Sequence, residues 1–133
     1  MKRYMLDTGM CSYIIKEHPE SARQRFQKLA MEQLCVSVVT YAELIYGVEC
    51  SSSRRVNRPV IKDFVRHLDV MNWDTGAADQ YGVIRAELEA AGDPIGAMDM
   101  MIAAHAKSIK AVLVTNNQKH FTKVKGLRID NWA

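Results

Sequence analysis

Three short apolar runs, each ending at a polar residue, constrain this chain more than any other feature of it. Tyr4-Met5-Leu6 stops at Asp7, Cys35-Val36-Ser37-Val38-Val39 at Thr40, and Ala111-Val112-Leu113-Val114 at Thr115-Asn116-Asn117. Runs this short, apolar and partly β-branched predict buried strands. Leu68–Met71 reads as a further strand and Leu127-Arg128-Ile129 as an edge strand. The stretches between them read as helices: residues 11–33, broken or restarted near Pro19, and residues 59–67. Another starts at Thr40, with Glu43 at the spacing of a capping box, and runs to about Cys50. Thr75 caps a longer helix that ends near Ala91 before Gly92-Asp93-Pro94, and an Ala- and Met-rich helix spans 97–107. Strands alternating with helices predict an α/β fold with a mainly parallel sheet, and 133 residues are the size of one domain.

Parallel sheets bind ligands in the crevice beyond the carboxyl ends of their strands. Asp7 follows the first strand, Thr40 and Glu43 the second, and Asn116 and Asn117 the last buried one. Asp99 opens a helix whose next same-face residues, Ile102, Ala103 and Ala106, are apolar, so it points towards the interior.

Carboxylates gathered in a crevice repel one another and resist desolvation, so they need a positive partner. A divalent cation supplies it. An all-oxygen set suits Mg²⁺ or Mn²⁺, and no His-Cys cluster favours zinc. Such a cation serves phosphodiester hydrolysis. Taken singly, each residue has a plain structural reading: Asp7 and Asp99 as acids at helix starts, Glu43 as half of a capping box, Asn116-Asn117 as a turn. Their agreement on one end of one sheet is what favours a site.

The net charge of +3 does not by itself imply a nucleic-acid partner, but its distribution is uneven. Residues 1–99 hold 12 Lys and Arg against 14 Asp and Glu, whereas residues 100–133 hold 6 against Asp130 alone. That basic group includes Lys119 and Lys123, with His120 between them; on charge alone a solvated surface is the favoured reading, and these three are the candidate RNA contacts. His18 and His67 read as surface residues and His105 as packed. Trp73, Trp132 and the methionines 98, 100 and 101 read as packing residues. Cys11, Cys35 and Cys50 form no Cys-x-x-Cys pair and read as reduced thiols of a cytoplasmic protein. Asp7 interrupts the start too early for a signal peptide, and no apolar run is long enough to span a membrane.

Four segments carry a resemblance. They are Met5-Leu6-Asp7-Thr8, Thr40-Tyr41-Ala42-Glu43-Leu44-Ile45-Tyr46-Gly47, Asp99 to Ala106, and Val114-Thr115-Asn116-Asn117-Gln118-Lys119-His120-Phe121. In this order they resemble the PIN-domain ribonucleases, and among them the VapC toxins of bacterial toxin–antitoxin pairs. The resemblance implies a three-layer fold, a parallel sheet flanked by helices, and an endoribonuclease using Mg²⁺ or Mn²⁺. Its acidic metal-binding positions fall on Asp7, Glu43 and Asp99, and its further polar positions on Asn117 and Thr115. It implies an RNA substrate, initiator tRNA cut in the anticodon stem-loop for the most similar members. It also implies a VapB-type antitoxin partner and a homodimer within a larger complex. One departure is Gly9, where the family usually has Asn. A catalytically silent RNA-binding module and a receiver-like phosphoacceptor domain are the rival readings. The receiver would want adjacent acids after the first strand, and Leu6-Asp7-Thr8 supplies none. The partner surface is expected around Tyr13, Ile14, Phe26, Ile45 and Tyr46.

Overall fold

The computed structural model describes residues 2–133. Its five strands are β1 (Tyr4–Leu6), β2 (Leu34–Ser37), β3 (Asp69–Met71), β4 (Val112–Val114) and β5 (Ile129–Asp130). They pair side by side in the order β3-β2-β1-β4-β5, and every pairing is parallel. Seven helices join them: α1 (Thr8–Lys16), α2 (Glu20–Lys28), α3 (Val38–Cys50), α4 (Arg54–Phe64), α5 (Thr75–Ala90), α6 (Ala97–Ser108) and α7 (Gln118–Phe121).

Alternation along the central strands divides the core in two. Met5, Cys35 and Leu113 face Ile84 and Leu88 of α5 and Ile102, Ala103 and Ala106 of α6. Leu6, Val36 and Val114 face Met10 and Ile14 of α1, Leu44 of α3 and Phe64 of α4. The result is helix, sheet, helix. Because β1 has β2 on one side and β4 on the other, the chain reverses its direction of winding between β1 and β4. A crevice opens at such a switch point, and the ends of β1 and β4 form its floor.

Several helix starts differ from the sequence expectation. Thr40 does not cap α3: Ser37 does, its Oγ accepting the Val39 N–H at 3.1 Å. Thr40 lies instead fully buried within the first turn, its hydroxyl without a partner among the described residues. Glu43 therefore completes no capping box and is free for other work. The first helix begins at Thr8, not residue 11, with Asp7 as its cap, and it ends at Glu17 in a left-handed conformation (φ 58). Pro19 sits just before α2, which ends at Lys28, short of residue 33. Asp74, not Thr75, caps α5. Helix α4 starts at Arg54, five residues before the expected Pro59, and carries that proline inside. No helix among the described residues is long and apolar enough to cross a membrane.

Candidate active site

Asp7 stands at the end of β1, tied to β4 by its own backbone: its N–H donates to the Val114 carbonyl at 3.0 Å. As the cap of α1 its carboxylate accepts the Met10 N–H at 2.8 Å. Its other oxygen accepts the Thr115 hydroxyl at 2.5 Å. Both side chains are buried. Burial pushes the Asp7 carboxyl above its ordinary value, and the charges of Asp99 and Glu43 push it the same way. The hydrogen bonds from Thr115 and Met10 oppose them without cancelling them. The charges of Asp99 and Glu43 thus both bear on Asp7, which is destabilised when ionised and alone.

Glu43, half-buried on α3, accepts the hydroxyl of Thr8 at 2.5 Å. Asp99, in the first turn of α6, is raised by burial, while His120 close by pulls it down. The His120 Nδ1 lies 3.9 Å from the Asp99 carboxylate and 2.8 Å from the side-chain amide of Asn117. Thr115 connects the two halves: while donating to Asp7 it accepts the Asn117 N–H at 2.9 Å. Asp7, Thr115, Asn117, His120 and Asp99 form one chain of polar contacts, with Thr8 and Glu43 beside it.

The sequence missed Thr8. It stands directly after Asp7 in the first segment that resembles the family, but the glutamate it holds is 35 residues away. Asn116 turns outwards, donating to the Tyr13 hydroxyl at 2.8 Å. Lys123 is neutralised by Asp93 at 2.6 Å, whereas Lys119 stays exposed on α7 beside His120. Among the described residues no three His, Cys, Asp or Glu side chains close around a common point. The donor set fits a hard cation that keeps several waters and takes one or two carboxylates, as Mg²⁺ does. It does not fit a fully enclosed site.

Residues 4–127 match the family described as PIN domain. The chain belongs to the PIN-domain family. Within it, the chain is 46% identical over 133 residues to the tRNA(fMet)-specific endonuclease VapC of Shigella flexneri, covering all of both chains. It is 42% identical, again over the whole of both, to Ribonuclease VapC2 of Haemophilus influenzae. A DNA-bound VapBC structure from Salmonella typhimurium superposes with a TM-score of 0.94 at 44% identity over 100% of both chains. VapBC2 from Rickettsia felis, bound to a promoter DNA fragment, superposes with 0.92 at 37% identity over 98% of both. The receiver-like alternative is thereby set aside.

Proposed function

We propose that this chain is a divalent-metal-dependent endoribonuclease of the VapC kind, the toxin of a toxin–antitoxin pair. The observation that carries the reading is Asp7, buried at the switch point and pushed up first by that burial and then by the charges of Asp99 and Glu43, in a chain with full-length VapC relatives. Asp7, Glu43 and Asp99 are the residues that would hold Mg²⁺ or Mn²⁺. When bound, such an ion activates water and stabilises charge on a phosphodiester. Thr115 fixes the Asp7 carboxylate and, through the Asn117 N–H, the start of α7. Thr8 fixes Glu43. Asn117 orients His120, which with Lys119 faces the RNA backbone, and the pairing of Lys123 with Asp93 reduces its share.

The substrate is a structured RNA, initiator tRNA cut in its anticodon stem-loop. The choice of tRNA is supported by the Shigella and Salmonella relatives, both tRNA(fMet)-specific endonucleases and both 45% identical or more along the whole chain, and the anticodon position by the motif resemblance alone. A VapB-type antitoxin silences it. A groove of about 510 Å³ between α1, α2 and α4, walled by Ile14, Phe26, Val60 and Phe64, offers an apolar seat for such a partner. Tyr46, 71% exposed, lies on another face and suits a contact between two copies.

The test is cleavage of purified initiator tRNA with Mg²⁺ or Mn²⁺, with and without a chelator, alongside growth of cells expressing the chain. Cleavage that stops in EDTA, growth arrest by the chain alone, and rescue by the small protein encoded beside it are the expected results. Undiminished cleavage in excess EDTA overturns the metal; harmless expression of folded, unmutated protein overturns the toxin.

A further inference from the structure

Helix α4 carries a row of cations that its own stability does not call for. Arg54, Arg58 and Lys62 recur every four residues, Arg66 continues the row in the turn that follows, and Arg55 lies beside it. All five are exposed. Like charges at this spacing repel one another along a helix face. Arg54 and Arg55 also stand in the first turn, where the helix dipole disfavours a cation and no acid offsets it. Among the described residues Glu49 is the one acid that pairs with them, with Arg58 and, at 3.7 Å, with Arg54. Exposed pairs of this kind contribute little.

The helix that carries the row also walls a groove leading to Glu43, through residues other than the cations themselves. A groove of about 460 Å³ is lined by Thr8 and Glu43, by Lys16 of α1, and by Asn57, Val60 and Ile61 of α4. Lys62 donates to the Tyr41 hydroxyl at 2.5 Å and lies over the Tyr41 ring, on the same helix as Glu43. The carboxyl-terminal basic group is likewise partly engaged within the fold, since Lys123 binds Asp93 and Arg128 donates to the Lys110 carbonyl.

We propose that the exposed basic face of α4 is a second RNA contact, which holds the phosphate backbone of a folded RNA while another part of it enters the groove towards Glu43. The proposal rests on the ribonuclease reading. Successive cations lie roughly 6 Å apart along the helix axis, so a run of phosphates can follow them, and each guanidinium grips a phosphate through two N–H groups. An acidic segment of the antitoxin is the competing occupant. Against it, the apolar groove that suits the antitoxin meets α4 at Val60 and Phe64, whereas Arg55, Arg58 and Lys62 face solvent and do not line that groove.

The experiment measures binding of initiator tRNA over a range of salt, using the full chain with Asp99→Asn so that the RNA stays intact. Adding Arg55→Ala, Arg58→Ala and Lys62→Ala should weaken binding at least tenfold and lower the salt slope by roughly two to three. The charge-preserving set Arg55→Lys, Arg58→Lys and Lys62→Arg should retain the slope, which separates charge from folding. In the active chain, the alanine set should leave cleavage of a short unstructured RNA unchanged while slowing cleavage of tRNA. An unchanged affinity and slope overturns the proposal, as does equal loss on short and folded RNA. Loss of antitoxin binding with tRNA affinity intact assigns the face to the antitoxin and overturns it too. If the unmutated chain cleaves no RNA, the ribonuclease reading fails separately, because the binding measurement needs no cleavage.

Discussion

Thr115 donates its hydroxyl to Asp7 over 2.5 Å, joining the end of β4 to the end of β1 by side chains 108 residues apart. Among the groups acting on Asp7, this bond does most to hold it ionised against burial and against Asp99 and Glu43. Thr115→Val keeps the shape and removes the donor, so the Asp7 carboxyl must rise further. Cleavage that needs ionised Asp7 then moves its acidic limb to higher pH, and kcat near neutrality falls roughly 10- to 100-fold, as for other groups that orient metal ligands. Thr115→Ser should restore both. A pH–rate profile that does not move would mean that Thr115 does not govern Asp7.

The same acid makes the metal-free protein less stable near neutrality. The folded Asp7 carboxyl is raised above its ordinary 3.8, so between those two values the folded state holds more protons than the unfolded one. Its stabilising contribution is present below 3.8 and is lost as pH rises through the folded value. Asp7→Asn should therefore raise the melting temperature at pH 7 in EDTA, by about 4 °C for each kcal/mol recovered, while abolishing cleavage. Mg²⁺ or Mn²⁺ should stabilise the unmutated chain in proportion to the logarithm of its concentration and leave the Asn variant almost unmoved. Thermal melts across a metal series read this directly. A variant that unfolds would favour a purely structural, helix-capping Asp7.

The features legible in the sequence were those that a single stretch of chain determines. Leu6, Val36 and Val114 belong to short apolar runs that no amphipathic helix would produce, so β1, β2 and β4 were readable, and with them the polar residues at their ends. Asp99 was readable because Ile102, Ala103 and Ala106 fix the inner face of its helix. Helix starts were less so. Val38 and Val39 are β-branched and prolong a strand pattern, which hid Ser37 as the cap and moved the boundary to Thr40. Pro59 suits a first turn, but α4 forms around it, burying Ile61 and Phe64 against α1 and α3. The contacts that organise the site were not legible at all. Thr8 with Glu43, His120 with Asp99, and Lys123 with Asp93 each link residues that only the finished fold brings together.

A second buried polar pair bears on stability alone. His105, 1% exposed, has its Nδ1 2.8 Å from the Ser37 Oγ, which also caps α3. Ser37→Ala removes both bonds and should destabilise the fold by about 2 kcal/mol, which chemical denaturation would measure. Burial holds the His105 imidazole below its ordinary 6.5, with Asp74 opposing. Below 6.5 the unfolded state binds the proton more readily, so stability falls as pH drops through 6.5 towards the folded value. His105→Gln should flatten that part of the pH–stability curve. A slope unchanged by the substitution would place the acid sensitivity elsewhere.

Gly9 sits in the first turn of α1, two residues after Asp7. A Cβ built there would lie 3.8 Å from the Asp7 Oδ1, an ordinary contact, and the backbone is not in a glycine-only conformation. Nothing steric therefore requires glycine. Gly9→Ala should stabilise the fold by up to about 1 kcal/mol through helix propensity, less for lying near the helix end, with tRNA cleavage unchanged. Gly9→Asn should also fold, and its amide beside the carboxylate favours the charged form of Asp7. The acidic limb of cleavage should then shift to lower pH, opposite in direction to Thr115→Val. Melting curves and pH–rate profiles of the two variants separate the effects. If Gly9→Ala folds but loses cleavage, the open space beside Asp7 is itself needed, and Gly9 belongs to the site as a clearance for what enters it.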